Sequence, residues 1–137
     1  MLNSSTNLSA ASGSATCSRE DDPEKARRRF VRAWLFHGCS SDLAPKILQQ
    51  GFNRSFAGKN AVMYGRGVYF ARGSYYSARD TYSKPDNRGV QRMLMCRVAV
   101  GAYCRGENGR LVPDERESGS GVLFDSTVEN LADPFIF

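Results

Sequence analysis

The stretch Met93 to Val100 (MLMCRVAV) is the longest apolar run in the chain and constrains its fold more than any other feature. It follows the turn-forming segment Lys84-Pro85-Asp86-Asn87-Arg88-Gly89, and a short apolar run after a turn reads as a buried, central strand. The other strand candidates are shorter: Trp34-Leu35-Phe36 ending on Gly38, Val68-Tyr69-Phe70-Ala71, Val122 to Phe124, and the start of one at Phe135-Ile136-Phe137. Ser41-Asp42 predict the cap of a helix through Leu43, Ile47 and Leu48, with Gly51 at its C′ position. Pro45 is tolerated there because it falls in the first turn, where its missing N–H is not needed. A second helix is expected from Ser74, as N-cap, to Tyr82. Short strands, irregular loops and one or two helices indicate an α+β domain rather than a repeating βαβ fold.

A chain of 137 residues is the size of one domain. Residues 1–22 begin with small hydroxylated side chains that bury too little surface to offset their ordering entropy, so a disordered tail is expected. Residues 23–33 form a basic lead-in, in which Asp22 as N-cap and Pro23 predict a short helix to about Arg32. The packed domain is expected over 34–137. No charged n-region with an apolar core opens the chain, which argues against a secretory signal, while the Ser/Thr-rich start leaves an organellar transit peptide open. No apolar run approaches the roughly 20 residues of a membrane span. Cys17, Cys39, Cys96 and Cys104 show no C-x-x-C pairing and His37 is the only histidine, so no metal site is expected. Read as free thiols, these cysteines fit the cytosol or the nucleus. The net charge of +5 attracts polyanions in general. Arg27-Arg28-Arg29 reads first as a solvated helix face, and nucleic acid binding has the least support, since no basic face interleaved with aromatics accompanies it.

Taken singly, the residues with chemical potential have structural readings. A lone histidine at a strand end, His37, is most often a hydrogen-bonded structural residue, and Tyr69 in a V-Y-F run is most often core. Gly65-Arg66-Gly67 is a turn, and no strand precedes it as a dinucleotide fingerprint would require. Residues 52–67 form a polar loop of a length that in compact domains tends to be functional.

Their order along the chain resembles a known family. Leu35-Phe36-His37-Gly38 resembles the L-F-H-G-[S/T] motif of poly(ADP-ribose) polymerase (PARP) catalytic domains, and Tyr64-Gly65-Arg66-Gly67-Val68-Tyr69-Phe70-Ala71 resembles their Y-G-K-G-[V/I/T]-Y-F-A motif. Ser77 lies where those domains carry a serine, and Asp125-Ser126 to Asn130 looks like their D-[S/T]-V-x-[D/N]-N turn. The loops Gly51 to Ser55, Ala57 to Ala61 and Asp80 to Asp86 are similar to those of the macrodomain-bearing mono-ADP-ribosyltransferases.

The resemblance implies an ADP-ribosyltransferase fold of short mixed or antiparallel sheets with few helices. It implies an enzyme that transfers ADP-ribose from NAD⁺, as substrate, to protein acceptors (the chain itself among them), one unit at a time, without a metal. Gly38 would read the nicotinamide carboxamide with its backbone N–H and C=O, and Ser77 would give a third hydrogen bond. Tyr69 and Tyr82 would sandwich the ring, His37 would bond a hydroxyl of the adenosine-side ribose, and Arg54 would approach the pyrophosphate or adenosine side. Cys39 stands where the family has Ser or Thr, which favours an alternative reading as an inactive or truncated module of this fold that binds NAD⁺ or partners without turnover. The strand starting at Phe135 reaches Phe137 without a cap, so the domain is expected to be incomplete, with the third residue of the His-Tyr-Glu set beyond Phe137.

Overall fold

A computed structural model describes residues 32–57 and 62–137. The expected tail, the lead-in up to residue 31 with its helix and arginine cluster, and loop residues 58–61 lie outside the described residues.

Two strands form the main ladder, β1 (Arg32–Cys39) and β2 (Arg92–Ala99), paired antiparallel with Leu35 opposite Cys96 and Gly38 opposite Met93. The apolar run Met93 to Val100 is thus a strand, shifted by one residue, but not a central one. Among the described residues β1 is its only ladder neighbour, and Met95 is 62% exposed. Side chains alternate across a strand, so one row faces solvent and the other is half-buried. Leu35 lies fully buried on β1, the kind of burial that contributes about 1.5–3 kcal/mol.

Helix α1 (Leu43–Gln50) follows as expected, with Gly51 at φ 76° closing it through a bond to the Ile47 carbonyl. Asp42 sits at the N-cap, but its side chain makes no capping bond; the Leu43 and Ala44 amides both donate to the Ser40 carbonyl at 3.1 Å. The Ser41 hydroxyl instead accepts from the Arg92 guanidinium.

The expected second helix is one turn only, α2 (Ser74–Ser77), with Gly73 rather than Ser74 at the N-cap. Its continuation is replaced by a turn in which Tyr82 and Ser83 both donate to the Arg79 carbonyl. The Gln91 side-chain amide donates to the carbonyls of Ala78 and Ser83, at 2.9 Å each, so side-chain bonds take over where a helical ladder would have run.

A second, two-stranded parallel sheet pairs β3 (Tyr103–Arg105) with β4 (Ser126–Val128). β4 falls where the sequence suggested a turn, and the strand expected at 122–124 reduces to a single bridge between Glu115 and Leu123. Asp125 sets this register: its carboxylate accepts from the Ala102 amide at 2.8 Å, its own amide donates to the Ala102 carbonyl, and the Ser126 hydroxyl donates to the Val100 carbonyl. Cys104 on β3 and Val128 on β4 are both fully buried.

The Val68 to Ala71 segment is not a regular strand. Ala71 alone bridges Phe36 on one side and Ile136 on the other, and Phe70 exchanges backbone bonds with Phe137. The strand expected from Phe135 is likewise present as this bridge. Two short two-stranded sheets and two helices among the described residues make the protein α+β, as expected.

Candidate active site

The ladder between β1 and the Ala71 segment stops at the residues singled out by sequence. Phe36 and Ala71 exchange both backbone bonds at 2.8 Å, so the Phe36 N–H and C=O point away from β2. Two residues on, Gly38 must present its own N–H and C=O along the same edge, because backbone groups alternate along an antiparallel strand. A continued ladder would set Gly38 opposite Tyr69. No backbone bond joins them. The Tyr69 carbonyl is taken by His37 Nδ1, at 2.8 Å. A carbonyl only accepts, so Nδ1 carries the proton and the neutral ring offers Nε2 as an acceptor. Burial lowers the His37 pKa from its usual 6.5, partly offset by the bond to Tyr69, and this favours that neutral ring. Phe52 packs edge-on against the imidazole at 5.0 Å and Phe70 lies tilted to it at 5.6 Å, so the ring is held on two sides.

Gly38 is also closely covered. A Cβ built there would collide with the Ser77 carbonyl oxygen and come within 2.8 Å of Tyr82 Cβ. Glycine is therefore needed for the α2 turn to lie this close to β1. Ser77 is buried, and its hydroxyl donates to the Phe36 carbonyl at 2.9 Å. Its hydrogen is thus committed, and what it offers a ligand is an oxygen lone pair. The Tyr82 ring stacks on Tyr76, with centroids 5.1 Å apart and planes at 25°.

Tyr69 is anchored by its phenol, which accepts from the Tyr64 amide at 2.9 Å and donates to the Gly65 carbonyl at 2.5 Å. Gly65, at φ 112°, makes this turn. The β3–β4 sheet supports it: the Thr127 hydroxyl donates to the Tyr64 carbonyl and the Arg66 amide to the Arg110 carbonyl. Burial raises the Tyr69 pKa, so the phenol stays protonated.

The site residues therefore fall in two groups. His37, Gly38, Ser77 and Tyr82 converge on the edge of β1, with Tyr69 across the gap. Arg54 lies on a short 3₁₀ turn (Arg54–Phe56) and its Nε donates to the Arg66 carbonyl at 2.9 Å. It lines a separate cleft of about 230 Å³ with Arg66, Tyr69, Arg110, Thr127 and Phe137, and neither Gly38 nor Ser77 is on that wall. Cys39, beside Gly38, is buried, and burial pushes its thiol pKa up, so it remains a neutral S–H. Sequence reading missed Phe52 and Tyr76, because an aromatic on a loop or helix carries no signal of its own beyond packing. Among the described residues no cluster of three or more His, Cys, Asp or Glu could hold a metal, and no helix is long and apolar enough to cross a membrane.

This arrangement, a sheet edge split at a glycine and flanked by tyrosines, is carried by a chain that belongs to the family of poly(ADP-ribose) polymerase catalytic domains, whose model matches residues 10–118. Among its relatives, "Protein mono-ADP-ribosyltransferase PARP14" of Homo sapiens is 42% identical over 104 residues, covering 75% of this chain and 6% of that protein. "Protein mono-ADP-ribosyltransferase PARP10" of Mus musculus is 39% identical over 119 residues, covering 87% and 12%. "Protein mono-ADP-ribosyltransferase PARP12" of Mus musculus is 39% identical over 103 residues, covering 75% and 14%. The chain matches about a seventh or less of the length of these three relatives.

Proposed function

We propose that this chain is an NAD⁺-dependent ADP-ribosyltransferase that moves single ADP-ribose units to protein side chains, itself included, and releases nicotinamide. The observation that carries the reading is the break in pairing between Gly38 and Tyr69. It exposes one donor and one acceptor on a sheet edge, the complement of a planar carboxamide, between Tyr69 and Tyr82. Stacking on an aromatic ring contributes about 0.5–1.5 kcal/mol beyond area burial. His37 Nε2, as an acceptor, suits a ribose hydroxyl, and Arg54 with Arg66 supplies positive charge suited to phosphate oxygens near Tyr69. Cleavage of the nicotinamide–ribose bond passes through an oxocarbenium-like state, as in glycoside cleavage. The contribution assigned to these residues is to hold ring and ribose so that one face of the anomeric carbon stays open to an acceptor. Restriction to one unit rests on the names of the relatives and on the loop resemblance. The reduced thiols of Cys39 and Cys96 support a reducing compartment, cytosol or nucleus, for this activity.

The test is incubation of the folded chain with labelled NAD⁺. Self-labelling that is abolished by His37→Ala and by Tyr69→Ala is expected; absence of label from a folded protein with both residues intact overturns the enzyme reading. A second reading, a module that binds NAD⁺ without turnover, is favoured by Cys39, whose buried neutral thiol is a weaker hydrogen-bonding group than a hydroxyl. Nicotinamide raising the melting temperature with no label would support that reading instead.

A further inference from the structure

The α2 turn does two things at once. Ser77 points to the Phe36 carbonyl beside Gly38, while its neighbour Tyr76 backs the Tyr82 ring. The two phenols are 2.9 Å apart and share a hydrogen bond. Tyr76 is itself fixed from two further sides: Phe135 meets it edge-on at 5.8 Å, and the Arg79 guanidinium lies 4.6 Å over its ring. Phe135 is held in turn, its amide donating to the Glu129 carboxylate at 2.7 Å. A packed chain thus runs from the segment beside Ala71 through Tyr76 to the ring of Tyr82, whose Cβ lies close against Gly38.

Resting on the nicotinamide-pocket reading above, we propose that Tyr76 is a positioning residue, which holds the Tyr82 ring at a fixed height and tilt as the wall against which the nicotinamide ring stacks. An aromatic wall free to rotate must be ordered when a ligand arrives, and ordering one side chain weakens affinity by about 2- to 13-fold. Tyr76 removes that cost in advance through a stack, which fixes the ring plane, and a hydroxyl bond, which fixes rotation about the stack. The Tyr76 phenol is held up to about 12, chiefly by its bond to Tyr82, so the bond persists across the pH range in which the protein would work.

The test uses the full chain with nicotinamide itself as probe. Calorimetric affinity is measured for the wild type, Tyr76→Phe and Tyr76→Leu, together with KM and kcat for NAD⁺ labelling and the thermal midpoint. Tyr76→Phe keeps the stack and loses the bond, and is expected to weaken nicotinamide binding about 2- to 4-fold at an unchanged thermal midpoint. Tyr76→Leu loses both, and about 10-fold is expected. KM should rise in proportion with kcat within about 2-fold, the pattern of lost uniform binding. Nicotinamide affinity in both variants equal to wild type overturns the proposal. So does a loss that only tracks the unfolded fraction, with KM of the folded remainder unchanged. A wild type that binds no nicotinamide overturns the pocket reading itself and this proposal with it. A wild type that binds but does not label leaves the calorimetric comparison decisive for Tyr76.

Discussion

His37 Nδ1 holds the Tyr69 carbonyl at 2.8 Å, in the place where a continued ladder would have put the Gly38 amide. A side chain thus closes the sheet one register early and leaves a backbone donor and acceptor of the neighbouring residue uncommitted. The two motifs, more than thirty residues apart in sequence, are locked to each other before any ligand arrives.

Burial of the same imidazole makes the fold sensitive to pH. The folded-state pKa of His37 lies below its usual 6.5, chiefly through burial, so the unfolded chain binds the proton more readily. The stability this group contributes is present above about pH 6.5 and is lost as pH falls through the folded value. The thermal midpoint of the wild type is expected to be level from about pH 8 to 7 and to decline below, while His37→Gln flattens that decline. An identical decline in the variant would refute the assignment. Nicotinamide release from NAD⁺ should fall over the same interval, because the imidazolium loses the Nε2 acceptor.

Gly38→Ala should damage fold and site together. Its Cβ would meet the Ser77 carbonyl and Tyr82 Cβ, and a backbone atom cannot rotate aside. Overpacking of this kind costs about 1–3 kcal/mol, and relief requires α2 to move off β1. A lowered denaturation midpoint with loss of nicotinamide binding is expected; a variant that melts and binds like wild type would mean that α2 is free to shift.

What was legible in the sequence was local. β1 and α1 are written in adjacent residues: an apolar run ending at Gly38, and a periodic stripe ending at Gly51. The length of α2 was not legible, because Gln91, thirteen residues from Ala78, supplies the bonds that replace the helix. β4 read as a turn because its partner Tyr103–Arg105 is distant and parallel, so neither strand shows its pairing in its own pattern. The motif residues marked Gly38 and Tyr69, but the gap between them depends on which group takes one carbonyl. Tyr76 was invisible for a related reason: its role lies in what stands behind Tyr82.

Tyr69→Phe separates ring from anchor. The phenol accepts from the Tyr64 amide and donates to Gly65, so its removal leaves a part-buried N–H without its partner, at a cost of about 1–3 kcal/mol. The ring itself remains available for stacking. A clear drop in thermal midpoint, with nicotinamide affinity in the folded protein reduced by less than in Tyr69→Ala, is expected. Equal loss of affinity in the two variants would show that the turn at Gly65, rather than the ring, makes the wall.

Glu129 offers the last test, because it acts on the site from outside it. Its two carboxylate oxygens accept separately from the Phe135 and Ile136 amides, at 2.7 and 2.8 Å. These bonds place Phe135 against Tyr76 and Ile136 beside Ala71. Hydrogen bonds to a charged group contribute about 1.5–3 kcal/mol, and here both serve one short segment. Glu129→Ala should therefore speed hydrogen exchange at the amides of residues 135–137 and of Phe70, which bonds the Phe137 carbonyl, before it affects those of β2. If the segment is what steadies the Tyr76–Tyr82 stack, nicotinamide affinity should fall along with that protection although Glu129 itself is distant from Gly38 in the chain. Faster exchange with unchanged affinity would show instead that Arg79 and the phenol bond hold the stack without Phe135.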